Sequence, residues 1–157
     1  MMNRISRLLG PNMVQIDLSV SSKKRLFEQA SLLFENSHRL ERGKVFDALF
    51  ARERLGSTGL GHGVAIPHGR LRGLKEAVGA IIRLADPIPF EAPDEANVGL
   101  FVFLLVPENA NEEHLEILSE LAEVLSDDEV RGKLLTLTDP GEMHKALDSW
   151  VPYRPAA

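Results

Sequence analysis

The sequence predicts an α/β fold, assigned to α+β in some schemes, in which a mixed sheet of about five strands lies between two layers of helices. Strand-like segments alternate with helix-like segments along the chain, as such a three-layer sandwich requires. The run 98–106 contains no polar side chain and suits a strand that is buried on both faces. The 157 residues fit a single domain, 1–157, with an ordered core over about 5–150.

The N-terminal part is expected to form one strand and two helices. Residues 14–18 alternate apolar and polar side chains, as a half-buried strand does. Ser21 or Ser22 can cap a helix whose apolar side chains recur at helical spacing, namely Leu26, Phe27, Ala30, Leu33 and Phe34. A second helix, which begins near Gly43 and ends near Leu55, is marked by Val45, Phe46, Leu49 and Phe50.

The remaining elements are expected to complete the sheet and its second helical layer. Residues 64–68 are predicted to form a short strand that ends at His68, and residues 77–84 and 98–106 two further strands. A long helix opens at residues 111–113, and the side chains on its predicted buried face are Leu115, Leu118, Leu121, Ala122 and Leu125. Segments 127–135 and 140–150 are predicted to form two short helices, and residues 152–157 a frayed tail.

Composition and charge exclude several classes of protein. The absence of cysteine excludes a disulfide framework, a thiolate nucleophile and a Cys-ligated metal centre. Residues 1–10 are too short and polar for a signal peptide, and the longest apolar run is far below the roughly 20 residues that span a bilayer. We therefore expect a cytoplasmic protein that does not insert into a membrane.

The distribution of charge is uneven. The net charge of −5 argues against general nucleic-acid binding. Residues 1–75 hold 13 Lys and Arg against 6 Asp and Glu, whereas residues 107–157 hold 4 against 12. Where the fold brings the basic part against the acidic part, we expect locally unbalanced charges, which are common at functional sites.

Residues 56–70 contain the residues best suited to chemistry. Four glycines lie among residues 56–63, and backbone N–H groups of such loops can bind an anion. Neither the P-loop nor the Rossmann spacing is present, so nucleotide binding is weakly indicated. His68 follows Pro67, which stiffens the backbone, and precedes Gly69, which leaves room around the ring. A neutral imidazole held in this way is a nucleophile near pH 7.

The same segment resembles a known family. Residues 52–70, Arg-Glu-Arg-Leu-Gly-Ser-Thr-Gly-Leu-Gly-His-Gly-Val-Ala-Ile-Pro-His-Gly-Arg, are similar to the active-site signature of the mannitol/fructose-type enzyme IIA domains of the bacterial phosphotransferase system. Segments 14–24, 101–107 and 113–122 agree with it, so the resemblance covers about residues 5–150. The branch that the chain resembles most is the stand-alone nitrogen-regulatory IIA protein.

The resemblance implies a phosphorelay protein, which is a phosphotransferase with a regulatory rather than a metabolic role. By this resemblance His68 accepts a phosphoryl group from a small phosphohistidine carrier protein, His114 is a second active-site histidine, and Arg52 faces the phosphoryl group. His62 departs from the pattern, which often has asparagine or an acidic residue there. The candidates for phosphoryl binding are Ser57, Thr58, Gly61, Gly63 and Gly69.

The partners implied are the carrier as donor and a transporter or sensor kinase as regulated target, with no cofactor. The alternative is the IIA component of a fructose- or mannitol-type sugar-uptake system, which passes the group to a IIB domain and a membrane permease. A protein that regulates its target by binding alone overlaps with the relay, because phosphorylation changes any surface that includes the histidine.

Elementary chemistry agrees with these roles and leaves some alternatives open. His114 is predicted in the first turn of a helix, where an anion is stabilised. Without the resemblance, a histidine that simply faces solvent is an equally good interpretation. Arg52 offers a planar fork for phosphate oxygens, while Arg54 and Arg72 are interpreted as solvated surface. Ser57 and Thr58 suit a turn as well as a ligand. A zinc site made by His62, His68 and His114 is weaker, because no short His-x-x-x-His motif is present.

Overall fold

The computed structural model describes residues 8–109 and 112–150. A 3-10 turn at Pro11–Met13 precedes the first strand. The strands are β1 (Val14–Leu18), β2 (Gly59–Gly61), β3 (Val64–Ala65), β4 (His68–Leu71), β5 (Val78–Ile88) and β6 (Val98–Pro107). The α-helices that follow the turn are α1 (Lys23–His38), α2 (Arg42–Glu53), α3 (Glu112–Ser126), α4 (Asp128–Thr136) and α5 (Pro140–Asp148).

The sheet is mixed and has six strands in the described ranges, one more than about five. Its order is β1-β5-β6-β3-β2, and β4 also pairs with β6. β1 is parallel to β5, β5 is antiparallel to β6, and both β3 and β4 run parallel to β6. Every residue of β6 is buried, as predicted for its apolar run.

The predicted strand 64–68 is interrupted, and this prediction of its end was wrong. β3 stops at Ala65, and His68 begins β4 on the same edge of β6. The Ile66 N–H donates to the Thr58 carbonyl, and Pro67 has no N–H to donate. The Pro67 carbonyl still accepts from Leu104, so the chain remains against β6 while the ladder is broken.

Two cores on opposite faces of the sheet confirm the predicted three-layer arrangement. One core, beneath α1 and α2, is rich in aromatic rings, namely Phe27, Phe34, Phe90, Phe101 and Phe103. The other, beneath α3, α4 and α5, is mostly aliphatic and includes Ile117, Leu121, Val124, Leu125, Leu134 and Leu147. Burial of both faces of the central strands explains why they contain so few polar side chains.

The caps and faces of the helices mostly follow the predictions. The Ser22 hydroxyl accepts from the Arg25 N–H at 3.2 Å and caps α1, one of the two residues predicted for this role. Leu115 was predicted on the buried face of the long helix and is instead 62% exposed. The buried stripe contains Ile117 and Leu121, and Leu115 lies about 200° around the helix from Ile117 at about 100° per residue.

Some predictions fall outside the described residues. These are the opening residue of the long helix at position 111, the frayed tail and the N-terminal limit of the ordered core near residue 5. In the ranges that the structure does describe, no helix combines the length and the apolar character needed to span a bilayer.

Candidate functional site

A cleft of about 450 Å³ lies where α2, β4 and the end of β6 meet α3. Four predicted site residues line it together: Arg52, His68, Gly69 and His114. Its walls are otherwise largely apolar and include Ala48, Ala51, Leu55, Val106, Leu115 and Leu118. The cleft joins the basic N-terminal part of the chain to the acidic C-terminal part, which is the junction considered from the charge distribution.

The imidazole of His68 is held by one hydrogen bond to the backbone. Nδ1 lies 2.9 Å from the carbonyl oxygen of Ile66. Because a carbonyl can only accept, Nδ1 carries the proton in this bond, and Nε2 of the neutral ring keeps its lone pair. The ring is half-buried and its residue lines the cleft. The arrangement therefore offers Nε2 as the nucleophilic nitrogen.

The surroundings of His68 favour the neutral ring. Burial lowers the pKa of His68 below its ordinary value of 6.5, and the positive charge of Arg52 lowers it further. The hydrogen bond to Ile66 and the negative charge of Glu53 oppose this effect but do not outweigh it. A lowered pKa leaves the imidazole unprotonated and able to act as a nucleophile at pH 7.

The first prediction concerns the titration of this ring. We expect the midpoint for His68, followed by NMR of its ring C–H signals, to lie below 6.5. In Arg52→Gln the midpoint should rise, because a positive charge is removed. The folded protein should also lose stability as pH falls from 6.5 toward the folded pKa, since the unfolded chain binds the proton first. A wild-type midpoint at or above 6.5 would contradict the assignment.

Arg52 lies in the last turn of α2, and its side chain is half-buried. Its Nη1 donates to the Gly56 carbonyl at 2.9 Å, which holds the side chain against the turn that follows the helix. A guanidinium has five N–H donors in a planar fork, so this bond leaves further donor capacity for the oxygens of a bound anion.

Gly69 has a steric role that the sequence analysis did not predict. A Cβ built on it would lie 2.6 Å from the carbonyl oxygen of Ala48, well inside the contact distance. The glycine thus allows α2 to approach β4 closely. Because Arg52 is on α2 and His68 is on β4, this close contact sets their separation.

His114 is the third residue of α3 and is half-buried in the wall of the cleft. The first turn of a helix directs N–H groups and the positive end of the helix dipole toward its N-terminal side. Negative charge in the cleft would be stabilised by this end of α3. The sequence and structure therefore agree on the first-turn location of His114.

The glycine-rich loop does not line the cleft, which departs from the predicted anion cradle. The Ser57 hydroxyl donates to the Phe90 carbonyl at 2.8 Å, and the Thr58 hydroxyl donates to Glu53 at 2.6 Å. Gly61 and Gly63 have positive φ angles and lie beside Asp94 and Asn97, respectively. These glycines shape the turn, so four predicted phosphoryl-binding residues are placed outside the cleft.

The N–H groups of the loop also have other partners. Thr58 N–H donates to the Glu53 carboxylate, Gly59 N–H to the Ser57 hydroxyl, and His62 N–H to the Asp94 carboxylate. The formation of the turn and the burial of its polar groups decided these hydrogen-bond partners. The number of glycines in the sequence does not predict either of them. Among the residues that line the cleft, Arg52 and Arg70 carry positive charge, and His114 lies in the first turn of α3.

The histidines considered for zinc are not brought together. His62 is exposed, has a φ of 57° and does not line the cleft that contains His68 and His114. Over residues 8–109 and 112–150, no group of three His, Cys, Asp or Glu side chains is placed to hold a metal ion.

Sequence reasoning missed two features beside the site. Glu53 is 6% exposed and is hydrogen-bonded behind the cleft, although it was only quoted within the signature. Leu55 is 84% exposed and Leu115 is 62% exposed, and both contribute to the cleft wall.

Comparison with known proteins adds the family. Residues 7–150 match the family described as "Phosphoenolpyruvate-dependent sugar phosphotransferase system, EIIA 2". The nitrogen regulatory protein of Pseudomonas aeruginosa is 42% identical over 134 residues, which cover 85% of this chain and 87% of that protein. The crystal structure of nitrogen regulatory protein IIA-Ntr from Neisseria meningitidis is 50% identical with a TM-score of 0.87, and the match covers 92% of this chain and 99% of that one.

A more distant structure shares the fold. The crystal structure of IIA mannitol from Escherichia coli is 22% identical with a TM-score of 0.73, covering 88% of this chain and 97% of that one. The matched range includes every element that lines the cleft, and the closely similar chains align over most of their lengths. The chain therefore belongs to the EIIA type-2 family of the phosphoenolpyruvate-dependent sugar phosphotransferase system, whose members are phosphotransferases in general.

Proposed function

We propose that this protein is a cytoplasmic phosphorelay regulator that accepts a phosphoryl group on Nε2 of His68 from a phosphohistidine of a small carrier protein. The observation that carries the proposal is the hydrogen bond from Nδ1 to Ile66, in a cleft that also contains Arg52 and His114. This bond leaves Nε2 as the nitrogen available to attack, and the lowered pKa keeps the ring neutral.

The transfer balances without an added proton. The bond from phosphorus to nitrogen in the carrier breaks while the bond from phosphorus to Nε2 of His68 forms, roughly in line. The carrier imidazole, protonated on its other ring nitrogen, leaves as a neutral ring with the electron pair of the broken bond, and His68 keeps the proton on Nδ1. One neutral imidazole thus replaces another, so the site has to supply position and charge neutralisation rather than acid–base catalysis.

Arg52 and the start of α3 are suited to supply that charge neutralisation. The guanidinium can donate to two oxygens of a phosphoryl group, and the helix N-terminus beside His114 favours negative charge. Gly69 contributes indirectly by allowing α2 and β4 to approach. We retain His68, Arg52, His114 and Gly69 in the proposed site and leave out Ser57, Thr58, Gly61 and Gly63.

A protein is a better donor for this cleft than a small phosphorylated metabolite. Leu55 and Leu115 expose 84% and 62% of their surfaces beside the reacting histidine. Exposed apolar side chains around a polar centre are typical of protein interfaces, whereas a sugar phosphate would leave them in water. The open apolar walls therefore support transfer from, and regulation of, another protein.

The regulatory role is supported by the relatives. Two nitrogen regulatory proteins align over most of their own length at 42% and 50% identity, whereas the mannitol IIA, which also aligns over most of its length, is 22% identical. A phosphoryl group would add roughly two negative charges beside an exposed apolar surface, which would change the binding of a transporter or sensor kinase. The sugar-uptake alternative can be separated by an assay of sugar phosphorylation with membranes that contain the IIB and permease components.

The second prediction tests the transfer itself. We expect the wild-type protein, mixed with a phosphorylated carrier protein or with phosphoramidate, to gain one acid-labile phosphate. Mapping by mass spectrometry and ³¹P NMR should place this phosphate on Nε2 of His68, because Nδ1 is engaged with Ile66. A label on Nδ1, on another residue or in an acid-stable linkage would contradict the proposal.

A further inference from the structure

Glu53 is a buried carboxylate with three hydrogen bonds, two from the turn between α2 and β2 and one from α1. It ends α2 and is 6% exposed. Its two oxygens accept from the Thr58 hydroxyl at 2.6 Å, from the Thr58 N–H at 3.1 Å and from Nζ of Lys23 at 3.3 Å. A buried charge is costly unless it is paired in this way, so the network needs a reason to be present.

The Lys23 ammonium that balances Glu53 is itself held in place. Lys23 is the first residue of α1, and its Nζ lies 4.1 Å from the centre of the Phe90 ring. The carboxylate therefore joins the beginning of α1 to the end of α2 and to the turn. It lies behind the cleft, since the cleft walls do not include it.

Two routes lead from this network to the cleft. In the first, the Thr58 carbonyl accepts from the Ile66 N–H at 3.1 Å, and the Ile66 carbonyl accepts from Nδ1 of His68 at 2.9 Å. Thr58, fixed by Glu53, thus anchors residue Ile66 through its N–H, and the carbonyl of the same residue holds the imidazole. The Ile66 carbonyl also decides which ring nitrogen carries the proton, because a carbonyl oxygen can only accept a hydrogen bond.

The second route runs through the neighbouring side chain. Arg52 directly precedes Glu53 and donates to the Gly56 carbonyl at 2.9 Å. Gly56 lies inside the turn that Glu53 closes by bonding Thr58, five residues ahead. If the turn loosened, the carbonyl that holds the guanidinium would move with it.

We propose that Glu53, with Lys23 and Thr58, is a positioning residue for phosphoryl transfer. It keeps His68 in the tautomer with the proton on Nδ1 and holds Arg52 beside it. The proposal rests on the proposed function of His68, but its structural part can be measured without any phosphoryl donor. No contact of Glu53 with the phosphoryl group is implied.

The third prediction tests this with Glu53→Gln, which replaces two acceptor oxygens by one. The three donors then compete for a single oxygen, and the ion pair between residue 53 and Lys23 is lost. We expect ¹⁵N NMR of the imidazole to show a reduced fraction of the Nδ1–H tautomer of His68. With phosphoramidate as donor, the maximal labelling rate should fall about 10-fold to 100-fold while the half-saturating donor concentration changes little.

Matched variants separate positioning from simple loss of stability. Thr58→Val removes one donor at similar size and should also reduce the fraction of the Nδ1–H tautomer of His68. Thr58→Ser keeps the hydroxyl and should have the wild-type fraction of this tautomer. Ser31→Ala is the control, because it also removes a buried hydroxyl, which donates to the Phe27 carbonyl at 2.7 Å and is not part of this path. Its tautomer and labelling rate should equal those of the wild type.

The outcomes distinguish this proposal from the proposed function. If Glu53→Gln or, where that variant does not fold, Thr58→Val keeps the wild-type tautomer and labelling rate, the positioning role is refuted. If the wild type accepts no phosphate on His68 but the tautomer shifts as described, the network is supported and the phosphorelay fails instead.

Discussion

His68→Gln is expected to abolish acid-labile phosphorylation of this protein, with a loss of at least about 10³-fold in the labelling rate. Glutamine has a similar size, and its amide can still donate to the Ile66 carbonyl that holds Nδ1 in the wild type. It has no nucleophilic nitrogen lone pair, so the site remains formed while the acceptor atom is removed. The measurement is the rate and extent of labelling by a phosphorylated carrier protein or by phosphoramidate.

His62→Gln is the matched control for this experiment. His62 belongs to the same signature segment, but it is exposed and lies outside the cleft. Its replacement should leave the labelling rate within about 2-fold of the wild type, as expected for a group that contacts no reacting atom. If labelling persists in His68→Gln and disappears in His62→Gln, the acceptor is His62, and the proposal for His68 is contradicted.

Gly69→Ala is expected to have the second-largest effect, and its cause is purely steric. The added Cβ would lie 2.6 Å from the oxygen and 2.7 Å from the carbon of the Ala48 carbonyl. Neither atom belongs to a flexible side chain, so α2 and β4 must move apart. We expect the free energy of unfolding to fall by about 1–3 kcal/mol. The labelling rate should fall about 100-fold, because Arg52 moves relative to His68.

Gly43→Ala provides the control within the same helix. Gly43 lies in the first turn of α2, and a Cβ there meets no atom within 4 Å. Alanine is the better helix former, so this variant should be as stable as the wild type or more stable by up to about 1 kcal/mol. Urea unfolding and labelling rates measure both variants. Wild-type stability and rate in Gly69→Ala would show that the close contact of α2 with β4 is not needed.

Local patterns in the sequence predicted the layers and most of the helices and strands. The alternation of residues 14–18 predicted β1, the apolar run 98–106 predicted the fully buried β6, and Ser22 was one of two predicted caps for α1. Such features depend on neighbouring residues and on the spacing of apolar side chains, and both can be obtained from a single sequence. Residues 52–70 likewise indicated His68 and Arg52 by resemblance alone.

Orientation within the glycine-rich loop could not be predicted in this way. The composition of residues 56–63 suits an anion cradle, but their hydroxyl and N–H groups contact Glu53, Phe90 and Asp94 instead. These partners are 5 to 33 residues away in sequence. The polar groups of a loop pair with other parts of the protein where they can, because unpaired polar groups near the core are unfavourable.

By itself, the sequence determined the layers, the family and the histidine that we propose as phosphoryl acceptor. Tertiary structure alone decided that His68 begins a strand, that its Nδ1 faces Ile66, and that Leu115 is exposed beside the cleft. It also showed that Gly69 allows two backbones to meet. The physical reason is that periodicity records which faces are buried, whereas hydrogen-bond partners and backbone contacts depend on segments distant along the chain.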